Sequence, residues 1–135
     1  MAVVFDTNVL ISAAFFARSK PSFAVRWAAQ HDMILLSAVT LTELASTIGR
    51  SKFDRYASLD SRREFVAFVS SIGHFVTIRR TVRACRDVED DKFLDVAING
   101  TARFVVTGDA DLLSLGSFEA IPIISPADYI ARVEC

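Results

Sequence analysis

The sequence predicts an α/β protein built on a parallel β-sheet of about five strands, with helices covering both faces. Five short runs are almost wholly apolar, as expected for strands that are buried on both sides. Longer stretches, in which apolar residues recur at helical spacing, separate these runs along the chain. The predicted strands are Ala2–Phe5, Met33–Leu36, Phe75–Ile78, Phe104–Thr107 and Ile121–Ile124, and Pro122 suggests that the last one lies at an edge.

The predicted helices are placed by this periodicity and by residues typical of helix ends. Pro21 suits the first turn of the second helix, and Gly49 and Gly73 suit the ends of the third and fourth. The predicted ranges are Val9–Phe16, Pro21–Gln30, Thr40–Ile48, Leu59–Ile72, Asp91–Ala102 and Ala127–Val133. No linker, repeat or compositional break divides the chain, so residues 1–135 are predicted to form a single domain.

Composition excludes several classes of protein. Apolar residues make up 52% of the 135 residues and charged residues 23%, which is unlike a disordered chain. No apolar run approaches the roughly 18 residues that span a bilayer, and the four apolar residues before Asp6 follow no basic segment typical of a signal peptide. Cys85 and Cys135 lie far apart without metal-ligand spacing. We therefore expect two reduced thiols in a cytoplasmic protein without a membrane segment.

Charge is distributed unevenly, although the net charge is only −1. Residues 50–86 contain nine basic residues against three acidic ones, whereas residues 87–135 contain ten acidic residues against three basic ones. A basic region beside an acidic one could hold a polyanion while it collects divalent cations. An ordinary solvated surface with salt bridges between the two regions explains the same pattern.

Acidic residues follow the predicted strands at one edge of the sheet. Asp6 comes directly after the first strand, and Glu43 lies in the helix after the second. Asp90 and Asp91 begin the helix that precedes the fourth strand, and Asp95 lies in the same helix. Asp109 and Asp111 follow that strand. Ligand sites of parallel sheets lie beyond the carboxyl ends of the strands, so these acids are expected to lie close together.

Each acid also has a purely structural explanation. Asp6 could cap the next helix, and Thr40-Leu-Thr-Glu43 matches a capping box. The macrodipole alone favours Asp90 and Asp91 at a helix N-terminus, and Asp109 could cap a short helix after a Gly-Asp turn. The coincidence of four such segments at one edge is what favours a site.

Crowded carboxylates repel one another unless a cation or protons neutralise them. A set of oxygen ligands points to a hard ion, Mg²⁺ or Mn²⁺, rather than to zinc. His31 and His74 do not follow strand ends in this way, so we interpret both as surface or structural residues.

The ordered set of these residues resembles the motifs of PIN-domain nucleases. The motifs are Asp6-Thr7-Asn8, Thr40-x-x-Glu43, Asp91 with its helix, and Thr107-Gly108-Asp109-x-Asp111. The segments from Glu43 to Tyr56 and from Cys85 to Leu94 are similar to the VapC-like branch, the toxin components of bacterial and archaeal toxin–antitoxin pairs. No single motif is specific, but the resemblance extends from the first strand to Ile124.

The resemblance implies a three-layer α/β/α sandwich and an endoribonuclease that depends on Mg²⁺ or Mn²⁺. It implies that the catalytic and metal-binding residues are Asp6, Glu43, Asp91 and Asp109. Asp91 is preferred to Asp90 because Leu94 and Ala97 then match the family's helix. Asp95 and Asp111 would be additional acids, oriented with the help of Asn8 and Thr107.

The implied partners are an RNA substrate, a cognate antitoxin and a second copy of the chain in a homodimer. The residues expected to contact the RNA backbone are Arg50, Lys52, Arg55, Arg62 and Arg63.

Two kinds of alternative are considered. A haloacid-dehalogenase-type phosphatase would need a second Asp where Asn8 stands, and a Toprim nuclease would have Glu rather than Asp6 after its first strand. A non-catalytic PIN-like module that binds RNA or protein would use the same acids only as helix caps.

Overall fold

The computed structural model describes residues 1–134, in which strands and helices alternate as the apolar periodicity predicts. The strands are β1 (Ala2–Phe5), β2 (Met33–Leu36), β3 (His74–Phe75), β4 (Phe104–Val106), β5 (Ser117–Phe118) and β6 (Ile121–Ile124). The helices are α1 (Thr7–Phe15), α2 (Lys20–His31), α3 (Ala38–Ile48), α4 (Leu59–Ile72), α5 (Asp91–Asn99), α6 (Ala110–Ser114) and α7 (Pro126–Val133).

The strands form one six-stranded sheet in the order β3-β2-β1-β4-β6-β5. Five strands run parallel, and β5 alone pairs in the antiparallel sense, with β6. The predicted edge position of Ile121–Ile124 is therefore wrong, because β4 and β5 flank β6. Strand β5 has only two residues and follows Gly116, whose φ is +71°, so periodicity could not predict it.

Helices pack on both faces of the sheet, which confirms the predicted α/β/α layers. Alternate residues of the central strand face opposite sides, so that Val3 and Phe5 belong to one core and Val4 to the other. The first core contains buried residues of α1, α2, α3, α4 and α7, and the second contains those of α5 and α6. The sheet interior is therefore apolar throughout, and polar groups collect at strand ends.

Helix α3 begins two residues earlier than predicted, and its capping box differs from the predicted one. The Ser37 side chain accepts from the Thr40 N–H at 3.1 Å, while the Thr40 hydroxyl accepts from the Ser37 N–H at 3.0 Å. Thr40 is thus the last member of the box and not its first. Glu43 lies beyond the box and is free to serve another role.

Residues 76–85 form neither helix nor strand and are fastened to α5 by one stripe of its side chains. The stripe consists of Asp91, Asp95 and Asn99, which recur every four residues. Asp95 accepts from the Val82 N–H at 2.7 Å, and the Asn99 amide oxygen accepts from the Arg79 and Arg80 N–H groups at 2.9 and 3.0 Å. These bonds satisfy backbone groups that no strand partner reaches.

Across residues 1–134, no helix combines the length and the apolar character needed to span a bilayer.

Candidate active site

A cavity of about 330 Å³ opens beyond the carboxyl ends of β1 and β4. Its walls carry six acidic side chains and one basic side chain. The lining residues are Asp6, Thr7, Asn8, Glu43, Thr47, Arg50, Asp87, Asp90, Phe93, Asp109 and Asp111. These acids lie far apart along the chain, between residues 6 and 111, and the topology of the sheet brings them together.

Asp6 lies at the base of the cavity, directly after β1. One carboxylate oxygen accepts from the Val9 N–H at 2.8 Å and so caps α1, while the other accepts a hydrogen bond from the Thr107 hydroxyl. Burial raises the pKa of Asp6; the two hydrogen bonds oppose this rise, and the charges of Asp109 and Glu43 add to it. The capping role therefore coexists with a position in the site.

Thr107 connects the acids of β1 and β4. Its side chain is completely buried, donates to Asp6 and accepts from the Asp109 N–H at 3.0 Å. Asp109 in turn caps α6 by accepting from the Leu112 N–H at 3.3 Å. This chain of hydrogen bonds fixes the relative positions of the two carboxylates.

Glu43 reaches the cavity from the second turn of α3 and is held at both oxygens. It accepts from the Thr7 hydroxyl at 2.5 Å and from the Lys92 ammonium group at 2.8 Å. Lys92 also pairs with Glu89 at 3.2 Å. Sequence reasoning missed Lys92, although a single base within a run of acids at a helix start is the signal that could have identified it.

The structure places Asp90 in the cavity wall and Asp91 outside it, whereas the helical spacing favoured Asp91. Asp91 is 7% exposed, and one of its oxygens accepts from the Ala84 and Cys85 N–H groups at 3.0 and 2.8 Å. The chain enters α5 through a short 3-10 turn at Val88–Asp90, which apolar periodicity does not indicate. The Asp91 carboxylate, which fits the family's spacing, thus holds the backbone of residues 84 and 85 against α5.

The two neighbouring acids differ in their electrostatics as well. Burial, followed by the charges of Asp109, Asp87, Asp6 and Glu43, raises the pKa of Asp90 to about 6. Burial also acts to raise the pKa of Asp91, but the two N–H donors, the Cys85 thiol and the Arg83 charge outweigh it and lower that pKa. Asp90 therefore experiences the acidic cluster directly, whereas Asp91 is neutralised locally.

The remaining predicted acids divide between the cavity and the fold. Asp111 and Asn8 line the cavity, as does Asp87, which sequence reasoning did not select. Asp95 does not line it, because its carboxylate is turned toward Val82. Asp95 therefore lies outside the cavity lining, and its role as an additional acid of the site stays a prediction.

The predicted RNA-contacting bases also separate into two groups. Arg62 is only 3% exposed, and its guanidinium donates to the Ile48 and Arg50 carbonyls and pairs with Asp54 at 2.6 Å. The Arg62 guanidinium is therefore buried and bonded within the fold, away from the surface where an RNA contact was expected. Arg50 lines the cavity, and Lys52, Arg55 and Arg63 are exposed.

The cavity suits a hard divalent cation by the chemistry of its donors. Within residues 1–134, no three Asp, Glu, His or Cys side chains converge into a closed set of ligands. Mg²⁺ does not require a closed set, since it keeps several waters and uses one or two carboxylates together with substrate phosphates. Burial, and after it the charges of neighbouring acids, raises the pKa values of Asp6 and Asp90, and a bound cation would favour the ionised form of both.

Two solved structures share this fold at low sequence identity. VapBC2 from Rickettsia felis, bound to a DNA fragment from its promoter, aligns with a TM-score of 0.65 and 13% identity over 93% of this chain and 98% of its own. The Mycobacterium tuberculosis toxin VapC20, which cleaves the sarcin-ricin loop, aligns with a TM-score of 0.56 and 17% identity over 89% of this chain and 99% of its own.

Sequence comparison identifies the family. An uncharacterized protein of Methanocaldococcus jannaschii is 30% identical over 115 residues, which span 84% of this chain and 74% of that protein. A family model described as the PIN domain matches residues 2–111, which include all the acids of the cavity. The chain therefore belongs to the PIN-domain family.

Proposed function

We propose that this protein is a metal-dependent endoribonuclease that hydrolyses phosphodiester bonds in RNA. The observation that carries the proposal is the convergence of Asp6, Glu43, Asp90 and Asp109 on one cavity in a member of the PIN-domain family. Asp90 replaces Asp91 in the set that the sequence resemblance implied. Six acidic side chains around a single cavity cost stability unless they serve a bound cation.

One or two of the cavity carboxylates Asp6, Asp90 and Asp109 would hold the cation, Mg²⁺ or Mn²⁺, together with waters, and Glu43 would stand at the cavity wall. When bound, the cation supplies a bound water of lowered pKa and offsets charge on the scissile phosphate. Thr107 holds Asp6 and the Asp109 backbone in place, and Lys92 orients Glu43. A water molecule would attack phosphorus in line with the 3′ oxygen. The bond from phosphorus to that oxygen would break, leaving a 3′-hydroxyl on one fragment and a 5′-phosphate on the other.

Arg50 is the basic residue nearest the chemistry, because its side chain is part of the cavity wall. Lys52 and Arg55 lie just beyond it along the chain and are exposed. Their charges would attract the RNA backbone and oppose the repulsion between phosphate and the acidic cavity. Such contacts contribute affinity with little sequence preference.

The test is cleavage of a labelled single-stranded RNA by the purified protein with Mg²⁺, with Mn²⁺ and with EDTA, alongside Asp6→Asn. The proposal predicts cutting that requires metal, leaves 5′-phosphate ends and is lost in the variant. No cutting by the folded protein in either metal contradicts it.

One observation favours a second candidate, a non-catalytic module that binds RNA or protein. Asp6 and Asp109 both cap helices, and Glu43 is paired with Lys92, so each has a structural partner. That module would bind RNA with or without divalent metal and would leave it intact. Titration calorimetry with Mn²⁺ separates the candidates, because only the nuclease requires heat of binding that Asp6→Asn abolishes.

The biological setting we propose is that of the toxin in a toxin–antitoxin pair in the cytoplasm, with a cognate antitoxin and a homodimer as partners. The support is the shared fold with the VapBC2 and VapC20 structures. Expression of the protein alone should arrest growth of a host cell, and co-expression of the neighbouring open reading frame should restore it.

Light scattering of the purified protein tests the proposed homodimer, which should have twice the monomer mass of 14.9 kDa.

A further inference from the structure

A cluster of aromatic rings lies at the C-terminal end of α1. Phe15 stacks on Tyr56 with ring centroids 5.3 Å apart, and Phe53 lies 5.3 Å from Phe15. Phe16 meets Tyr56 edge to face at 5.6 Å. Phe15 and Phe53 are half-buried and pack against the main core. Phe16 and Tyr56 are not part of that core and remain 48% and 43% exposed, so burial does not account for their size.

The backbone of Phe16 is held by hydrogen bonds, in addition to the contact of its ring with Tyr56. The Phe16 N–H donates to the Ser12 carbonyl at 2.9 Å, and its own carbonyl accepts from both the N–H and the hydroxyl of Ser19 at 3.0 and 2.6 Å. Ser19 is itself the N-terminal cap of α2. A large apolar ring is therefore presented to solvent from a rigid turn between two helices.

Positive charge surrounds the same rings. The Arg55 guanidinium lies 4.9 Å from the Tyr56 ring centre and donates to the Tyr56 hydroxyl at 2.9 Å. The Lys52 ammonium lies 5.1 Å from the Phe53 ring centre. Interleaved rings and cations are the surface that unpaired nucleobases and their phosphates recognise, by stacking and by charge.

Two walls lead from the acidic cavity to this cluster. Along α1, Asn8 lines the cavity, and Ser12 and Phe15 follow it at helical spacing. Phe15 lies about 10 Å farther along the helix axis than Asn8. On the facing side, Thr47 and Arg50 line the cavity, and the 3-10 turn Ser51–Phe53 follows directly. Phe15 contacts Phe53 and thereby joins the two walls at the cluster.

We infer that the Phe16–Tyr56–Arg55 cluster is a stacking site for an unpaired base of the RNA substrate, one that flanks the scissile phosphate. The inference rests on the proposed function and narrows its substrate to RNA that is single-stranded at this point. A base in a duplex would already be stacked on its neighbours and could not lie on the rings. The backbone on either side of the base would run past Lys52 and Arg50 into the cavity.

The experiment measures equilibrium binding of a labelled single-stranded RNA in the Asp6→Asn background, so that the RNA stays intact. Phe16→Leu keeps an apolar side chain but removes the ring, and Arg55→Gln removes the guanidinium. Phe68→Leu is the matched control, because Phe68 is also 48% exposed but lies on α4 beside an unrelated groove. We expect about tenfold weaker binding for Phe16→Leu and for Arg55→Gln, and no change for the control.

A second set of RNAs, each with one abasic nucleotide, identifies the stacked base. One abasic position should weaken binding when Phe16 is present and have no further effect in Phe16→Leu. Equal affinities of Phe16→Leu and Phe68→Leu, with the same abasic profile, overturn the inference. If the wild-type protein still cuts RNA in metal, the proposed function survives that result. A Phe16→Leu protein that binds RNA normally but loses a protein partner also overturns it.

Discussion

Asp90 and Asp91 are adjacent, yet their surroundings shift the pKa values of their carboxyl groups in opposite directions. The raised pKa of Asp90 means that the folded protein keeps a proton that the unfolded chain, with a pKa near 3.8, has already lost. Between pH 4 and pH 6 the unfolded chain therefore binds fewer protons, and the contribution of Asp90 to stability falls as pH rises. At pH 7 without metal, the ionised Asp90 is destabilising.

Asp90→Asn should therefore raise the free energy of unfolding at pH 7 without metal by about 1 kcal/mol, after discounting for solvent screening. The gain should vanish near pH 4, where the Asp90 carboxyl of the folded wild-type protein is protonated and therefore uncharged, like the asparagine amide. Urea unfolding at both pH values measures it. A variant that is less stable at pH 7 would show that Asp90 is not strained by its acidic neighbours.

Asp91→Ala should lower the free energy of unfolding by about 1–3 kcal/mol, because two partly buried N–H groups lose their acceptor. Amide hydrogen exchange at Ala84 and Cys85 should accelerate as well. The same urea series measures the change in stability, with Asp90→Asn as the comparison of opposite sign. Unchanged exchange at both amides would contradict the fastening role.

Arg62 is a base expected to contact RNA that the structure buries and bonds within the fold. Arg62→Glu should unfold the protein or cost more than about 3 kcal/mol, because it leaves Asp54 and two carbonyls without their donor. Arg50→Glu should leave stability nearly unchanged but weaken RNA binding and its salt dependence. Circular dichroism and binding at two salt concentrations distinguish the two residues. A folded Arg62→Glu protein with weakened RNA binding would restore the original prediction.

Helix ends determine how the site acids are presented. The Ser37–Thr40 capping box satisfies the first turn of α3 without Glu43, so cap and site can be altered separately. Ser37→Ala should cost about 1 kcal/mol of stability. Glu43→Gln should cost little through the cap but should reduce cleavage. Thermal unfolding together with the cleavage assay tests this separation, and a large loss of stability in Glu43→Gln would contradict it.

The elements show which features the sequence could predict. Helix α4 has the predicted bounds, since a 14-residue amphipathic pattern ends at Gly73. Strand β3 is shorter than the predicted Phe75–Ile78, because residues 76–85 leave the sheet to lie along α5. That departure depends on long-range hydrogen bonds to Asp91, Asp95 and Asn99, which no local pattern encodes. The same bonds hold the Asp91 and Asp95 carboxylates outside the cavity lining.

At the scale of the whole molecule, parallel topology predicted the site better than motif spacing did. Asp6, Glu43 and Asp109 line the cavity because the carboxyl ends of β1, β2 and β4 share one edge. Asp87 was missed because nothing in its spacing distinguishes it from a solvated acidic run, and Lys92 was missed although it is the single base within that run. The basic middle of the chain divides into exposed residues, such as Arg50 and Lys52, and the buried Arg62.

The most direct test of the account compares Asp90→Asn with Asp91→Asn, two isosteric changes at adjacent positions, by Mn²⁺ titration calorimetry on the folded proteins. The account predicts that Asp90→Asn abolishes metal binding, and metal-dependent RNA cleavage with it, while Asp91→Asn retains both. Binding that survives in Asp90→Asn and is lost in Asp91→Asn would contradict the account and return Asp91 to the site.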